Sequence, residues 1–178
     1  VTRFYGAAKK HNAEIPIFST GATATILANV NEYPLFVRMP QSDQFQSSAL
    51  IFLMEYFHWK RVCVSFQPSV YGRGLYDNFL EAATDNVNIV NPEKEHEIMT
   101  WTNEEIGRAM TVSVISTMRD HSCRSFLHLG DFLWAQDVLE VQHDLGMYGE
   151  RFLLLATEWL GSWKPDYQDA TPNEVTRI

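Results

Sequence analysis

Short apolar runs alternate along this chain with segments whose apolar residues recur at helical spacing, and that alternation limits the fold more than any other feature. IPIF, LFVRM, Arg61 to Phe66, VNIV at Val87 to Val90, Arg124 to Gly130 and Arg151 to Ala156 read as strands. RFYGAAKKHN reads as the end of a helix. Pro40 ends a strand, and Ser42 is placed to cap a helix with Phe45, Ala49, Phe52, Leu53 and Tyr56 on one face. Leu75, Phe79 and Ala82 mark the inward face of the next helix. Thr102 and Glu105 form a capping-box signature ahead of Ile106, Met110, Val114 and Thr117. Trp134, Val138, Val141 and Leu145 form the stripe of a last helix, stopped by Gly146. Repeated βα units predict an α/β fold: a mainly parallel sheet with helices on both faces.

Composition excludes several classes. With 46% hydrophobic and 13% aromatic residues in 178, the chain can bury a substantial core. A net charge of -8 argues against a nucleic-acid binder, which needs clustered Lys and Arg. The longest apolar stretch, Ala49 to Phe57, carries Glu55 and is far shorter than a membrane span. VTRFYGAAKKHN lacks the basic and apolar regions of a signal peptide, so the signal and membrane parts of an extracellular module are expected to lie outside this chain. Cys63 and Cys123 fit either two buried thiols or a disulfide, the thiols being the plainer reading. There is no N-x-S/T acceptor site, which is unexpected for an animal ectodomain.

Open parallel sheets bind ligands beyond the carboxyl ends of their strands, which selects the residues just past each strand. Tyr71 follows the strand ending at Phe66, Asp131 the one ending at Gly130, and Glu158 and Trp159 the one ending at Ala156. Thr23 follows an earlier apolar run, and Asp43 lies just past Pro40. The set suits a small zwitterion. The Thr23 hydroxyl and the N–H groups of Gly21 and Ala22 can donate to a carboxylate, Asp43 can accept from an ammonium, and Tyr71 can cover the ligand. Each residue also has a plainer reading. Asp43 suits a helix dipole, Asp131 can cap its helix, Tyr71 is a turn aromatic, Thr23 a loop hydroxyl, and Trp159 and Trp163 can pack a loop.

Enzyme signatures are weak. Gly72-Arg73-Gly74 partly matches a dinucleotide fingerprint, but Asp77 stands where a third glycine belongs. There is no P-loop, nucleophile elbow or zinc helix, and His121-Ser122-Cys123 has no second ligand pair. A hydrolase built on Asp131 and Glu158 is conceivable, yet strand-end carboxylates serve binding as often. No cofactor and no metal is expected.

Thr23 in IPIFSTGATATIL, Asp43 in LFVRMPQSDQFQ and Tyr71 in RVCVSFQPSVYGRG, followed by YGRGLYDNFLEA, resemble in order and spacing the Venus flytrap ligand-binding module of class C G-protein-coupled receptors. LLLATEWLGSWKPDYQDATPNEVT is most similar to the GABA-B type, and the metabotropic glutamate receptors share the earlier pattern. The chain departs from the glutamate-receptor pattern at Thr157, where that pattern has an aspartate. The resemblance implies a type I periplasmic-binding-protein-like fold. Residues 1–41 would be the end of lobe 1 and the crossover, 42–164 lobe 2, and 165–178 a return toward lobe 1. It further implies a cleft for a small amino-acid-like ligand of the GABA or glutamate class, lined by Gly21, Ala22, Thr23, Asp43, Tyr71, Asp131, Glu158 and Trp159. A receptor homo- or heterodimer, coupling to a G protein and a place on the outer side of the plasma membrane are implied too. A solute-binding protein of transport is the alternative within the same fold, and an α/β enzyme the alternative from another class.

Overall fold

A computed structural model describes residues 6–7, 15–90 and 104–157. β1 (Ile17–Ser19) and β2 (Phe36–Arg38) are joined through a 3-10 turn at Thr25–Ala28 and pair in parallel, Ile17 opposite Phe36. Next along the chain come α1 (Asp43–Tyr56), β3 (Arg61–Phe66), α2 (Val70–Ala82), β4 (Asn88–Ile89), α3 (Glu104–Asp120), β5 (Ser125–Leu129), α4 (Phe132–Asp144) and β6 (Leu153–Ala156). The last four strands form one sheet in the order β4-β3-β5-β6, parallel at every pairing.

Strand alternation divides the core in two. Cys63, Phe126, Leu154 and Ala156 face Val114, Ile115, Met118, Trp134, Val138 and Val141 of α3 and α4. Val62, Val64, Phe66, Leu127, Leu129 and Leu155 face Ile51, Met54, Leu75, Tyr76 and Phe79 of α1 and α2. The sheet is thus covered on both sides, as the near-continuous apolar strands RVCVSF and SFLHL require.

Four sequence expectations change. On α1 the buried side chains are Asp43, Ser47, Ile51 and Met54, while Phe45, Phe52 and Tyr56 are 61%, 68% and 68% exposed. The run ALIFLM is apolar on every face, so its spacing does not choose one; contact with α2, where Ser47 Oγ donates to the Leu75 carbonyl oxygen, does. Ser42 stands at the N-cap of α1 without a side-chain capping bond, because its hydroxyl lies 3.3 Å from Thr25 Oγ1. Among the described residues of α3, Gly107, Thr111, Val114, Ile115 and Met118 are buried, while Met110 and Thr117 of the expected face are only half-buried. Thr102, the first half of the capping box, lies outside the described residues.

The cysteines are not two thiols. Cys63 on β3 and Cys123 just before β5 form a disulfide with their Cα atoms 6.1 Å apart. The parallel pairing that sets Cys63 beside Phe126 brings the start of β5 within reach of β3, which the 60-residue separation hides in the sequence.

Candidate functional site

β3 and β5 end side by side, Phe66 opposite Leu129, and the ladder continues one step further as Gln67 N–H donates to the Leu129 carbonyl oxygen. Each of the two strands then turns tightly into a helix. Ser69 caps α2 by accepting from Gly72 N–H at 3.1 Å, and Asp131 caps α4, its Oδ1 accepting from Trp134 N–H at 3.1 Å. Both helix N-termini therefore point at this edge, where their free N–H groups and dipoles favour negative charge.

Gln67 joins the two turns. It is 4% exposed; its Nε2 donates to Asp131 Oδ2 at 2.8 Å, and its Oε1 accepts from Asp131 N–H at 3.1 Å and Ser69 Oγ at 3.3 Å. A Cβ on Gly72 would overlap the Gln67 carbonyl oxygen, and one on Gly130 the Trp134 ring, so both glycines are required by close packing. Sequence reasoning passed over Gln67. The strand-end rule that selects Tyr71 and Asp131 also covers it, since it directly follows Phe66, but a neutral amide carries no charge to attract notice.

The two predicted residues at this edge show how far the plainer readings hold. Asp131 does cap its helix, yet its side chain is exposed at the strand-end edge with one oxygen given to the cap and one to Gln67. Tyr71 is the second residue of α2, half-buried and packed in part against the core beneath α1 and α2. Glu158, Trp159 and Trp163 lie outside the described residues. Thr157, the residue before them, is 7% exposed at the end of β6.

Thr23 and Asp43 come together at the start of α1. Asp43 N–H donates to the Thr23 carbonyl oxygen at 3.1 Å, and Arg38 Nη1 donates to the same oxygen at 3.0 Å and to that of Ala24 at 3.2 Å. Thr23 is 8% and Asp43 1% exposed, so both are buried in this junction. The N–H groups of Gly21 and Ala22 donate to Ser19 Oγ at 3.4 and 3.0 Å, a serine turn that a ligand carboxylate would have to replace. Asn78 Nδ2 donates to Thr25 Oγ1 at 2.8 Å, tying the same loop to α2.

A parallel sheet clothed by helices on both faces, with polar groups gathered where its strands end, defines a ligand-binding α/β module of periplasmic-binding-protein type I form. The chain matches the receptor family ligand binding region over residues 11–174 and belongs to that family. It is 24% identical over 151 residues to Glutamate receptor 2.9 of Arabidopsis thaliana, covering 83% of this chain and 15% of that one. It is 46% identical over 59 residues to Glutamate receptor 3.1 of Oryza sativa subsp. japonica, 33% of this chain and 6% of that one. It is 31% identical over 71 residues to the human Extracellular calcium-sensing receptor, 40% of this chain and 7% of that one. The chain thus spans between 6% and 15% of the length of these relatives.

Proposed function

We propose that this chain is part of the extracellular ligand-binding module of a GABA-B-like class C G-protein-coupled receptor. It binds a small amino-acid-like ligand in a cleft between two lobes and signals by closing on it. In this reading residues 1–41 end lobe 1 and cross over, 42–164 form lobe 2, and 165–178 return toward lobe 1. The module works as a binding device, not an enzyme, within a receptor dimer on the outer face of the plasma membrane, and the parent receptor couples to a G protein. The observation that carries the reading is membership of a receptor ligand-binding family over nearly the whole chain, joined to a polar strand-end edge. The Cys63–Cys123 disulfide agrees with an oxidising, extracellular setting.

Within the cleft the Thr23 hydroxyl donates to the ligand carboxylate, Asp131 serves the amine side, joined by Asp43 once the junction that buries it opens, and Tyr71 covers the ligand as lobe 2 swings in, with Glu158 and Trp159 beside it. Closure is then driven by the ligand's higher affinity for the closed state. Thr23→Ala tests capture cleanly, because the bonds that anchor the junction use the Thr23 carbonyl oxygen and survive the change. Calorimetry on the complete ectodomain with glutamate and with GABA is expected to show a loss of about tenfold to a hundredfold in affinity for whichever binds. Tyr71→Ala is expected to impair signalling at least as much as capture. Unchanged affinity and response in both variants, with a ligand confirmed to bind the wild type, removes the proposed site.

A second reading is favoured by the 83% of this chain that aligns with Arabidopsis Glutamate receptor 2.9, and places the same module in a glutamate receptor. A heptahelical segment in the full gene decides for the first reading, and its absence overturns it.

A further inference from the structure

At the pole opposite the strand carboxyl ends, the loops that lead into β3 and β5 line an open cavity of about 350 Å3. Every ionisable side chain on its wall is a base: His58, Lys60, Arg61 and Arg124. Ser122 and Ser125 line it as well. The Cys63–Cys123 disulfide fastens one loop to β3, so the bases are carried on a fixed frame.

This concentration of positive charge runs against the whole chain, whose net charge is -8. Among the described residues no carboxylate lies within ion-pair distance of Lys60, Arg61 or Arg124. The helices α1 and α3 end at this pole, and their last carbonyl groups offset part of the charge. Arg61 Nη2 answers one of them, donating to the His121 carbonyl oxygen at 3.3 Å, and the Arg124 guanidinium lies over the Phe152 ring at 5.0 Å. Neither contact supplies a counter-charge, and the Lys60 ammonium has no ion-pair partner among the described residues.

We propose that this cavity is a second binding site, distinct from the strand-end edge, for a tetrahedral oxyanion of the phosphate or sulfate class, free or as an ester. A guanidinium fork and an ammonium match such oxygens, and hydroxyls complete their coordination. The site stands independently of the ligand assigned to the cleft.

Calorimetry on the full chain with inorganic phosphate, inorganic sulfate and glycerol phosphate, at low and at physiological ionic strength, tests it. At least one of these anions is expected to bind at low ionic strength and to weaken several-fold, roughly, at the higher one. Tighter binding of glycerol phosphate than of phosphate identifies an ester as the ligand; equal binding identifies the free anion. Lys60→Glu and Arg124→Gln are each expected to weaken binding about tenfold, with thermal unfolding showing the variants folded. Arg73→Glu, which changes the net charge equally on α2, is expected to leave affinity within about twofold. No binding of any of the three anions at low ionic strength, or an equal loss in Arg73→Glu and Lys60→Glu, overturns the site.

Discussion

Lowering the pH tests a buried histidine that takes no part in either site. His128 on β5 is fully buried and paired in register with Ser65 of β3. Gln142 Nε2 donates to the Met147 carbonyl oxygen at 2.9 Å, which leaves Gln142 Oε1 as the acceptor facing His128 Nε2, also at 2.9 Å. His128 therefore carries its proton on Nε2, and Nδ1 accepts from Ser65 Oγ at 2.5 Å. The Phe126 and Trp134 rings also pack against the imidazole. Burial pushes the His128 pKa down to about 4 from 6.5, only partly opposed by the Gln142 bond. In the unfolded chain the imidazole takes up its proton near its ordinary pKa, so between the two values the unfolded state binds more protons than the folded one. Stability from this group is complete above the unfolded value and is lost progressively as pH falls toward 4. The span corresponds to roughly 3 kcal/mol. Urea unfolding of the wild type and of His128→Asn across that range provides the assay. The carboxylates titrate in both proteins, so the difference between them isolates the histidine. The wild type is expected to lose roughly 2 to 3 kcal/mol more than the variant between neutral pH and the acid end of the range. Parallel profiles for the two proteins, or an imidazole whose NMR signals titrate near the ordinary value, refute the reasoning.

The disulfide and the glycines of α2 give further tests of stability. Reducing the Cys63–Cys123 bond, or replacing both residues by Ala, opens a loop of 60 residues and is expected to cost about 4 kcal/mol on the chain-entropy model; an unchanged urea midpoint with and without reductant contradicts it. Gly72→Ala is expected to destabilise by about 1 to 3 kcal/mol, since its Cβ would overlap the Gln67 carbonyl oxygen. Gly74→Ala, two residues along the same helix with open space around it, is expected to stabilise by about 0.5 to 1 kcal/mol. Thermal unfolding of the pair reads both signs at once.

The sequence by itself determined the element order and the layered parallel architecture. The runs RVCVSF and SFLHL read as strands that alternate with helical segments, and Leu75 with Phe79, or Trp134 with Val138 and Val141, are spaced for one helical face only. It also pointed to Asp131 and Tyr71, because position at a strand end is a local property of the chain. Where local pattern was degenerate it could not decide. The all-round apolar α1 chose Ile51 and Met54 as its buried face only on meeting α2, and the capping hydroxyl of Ser42 went to Thr25 only once the earlier loop folded against α1. The Cys63–Cys123 bond, the Gln67–Asp131 clasp and the Ser65–His128–Gln142 network each join residues on different strands or helices. Parallel strands bring such residues together through long crossovers, so their partners are set by sheet register, a quantity that exists only in three dimensions.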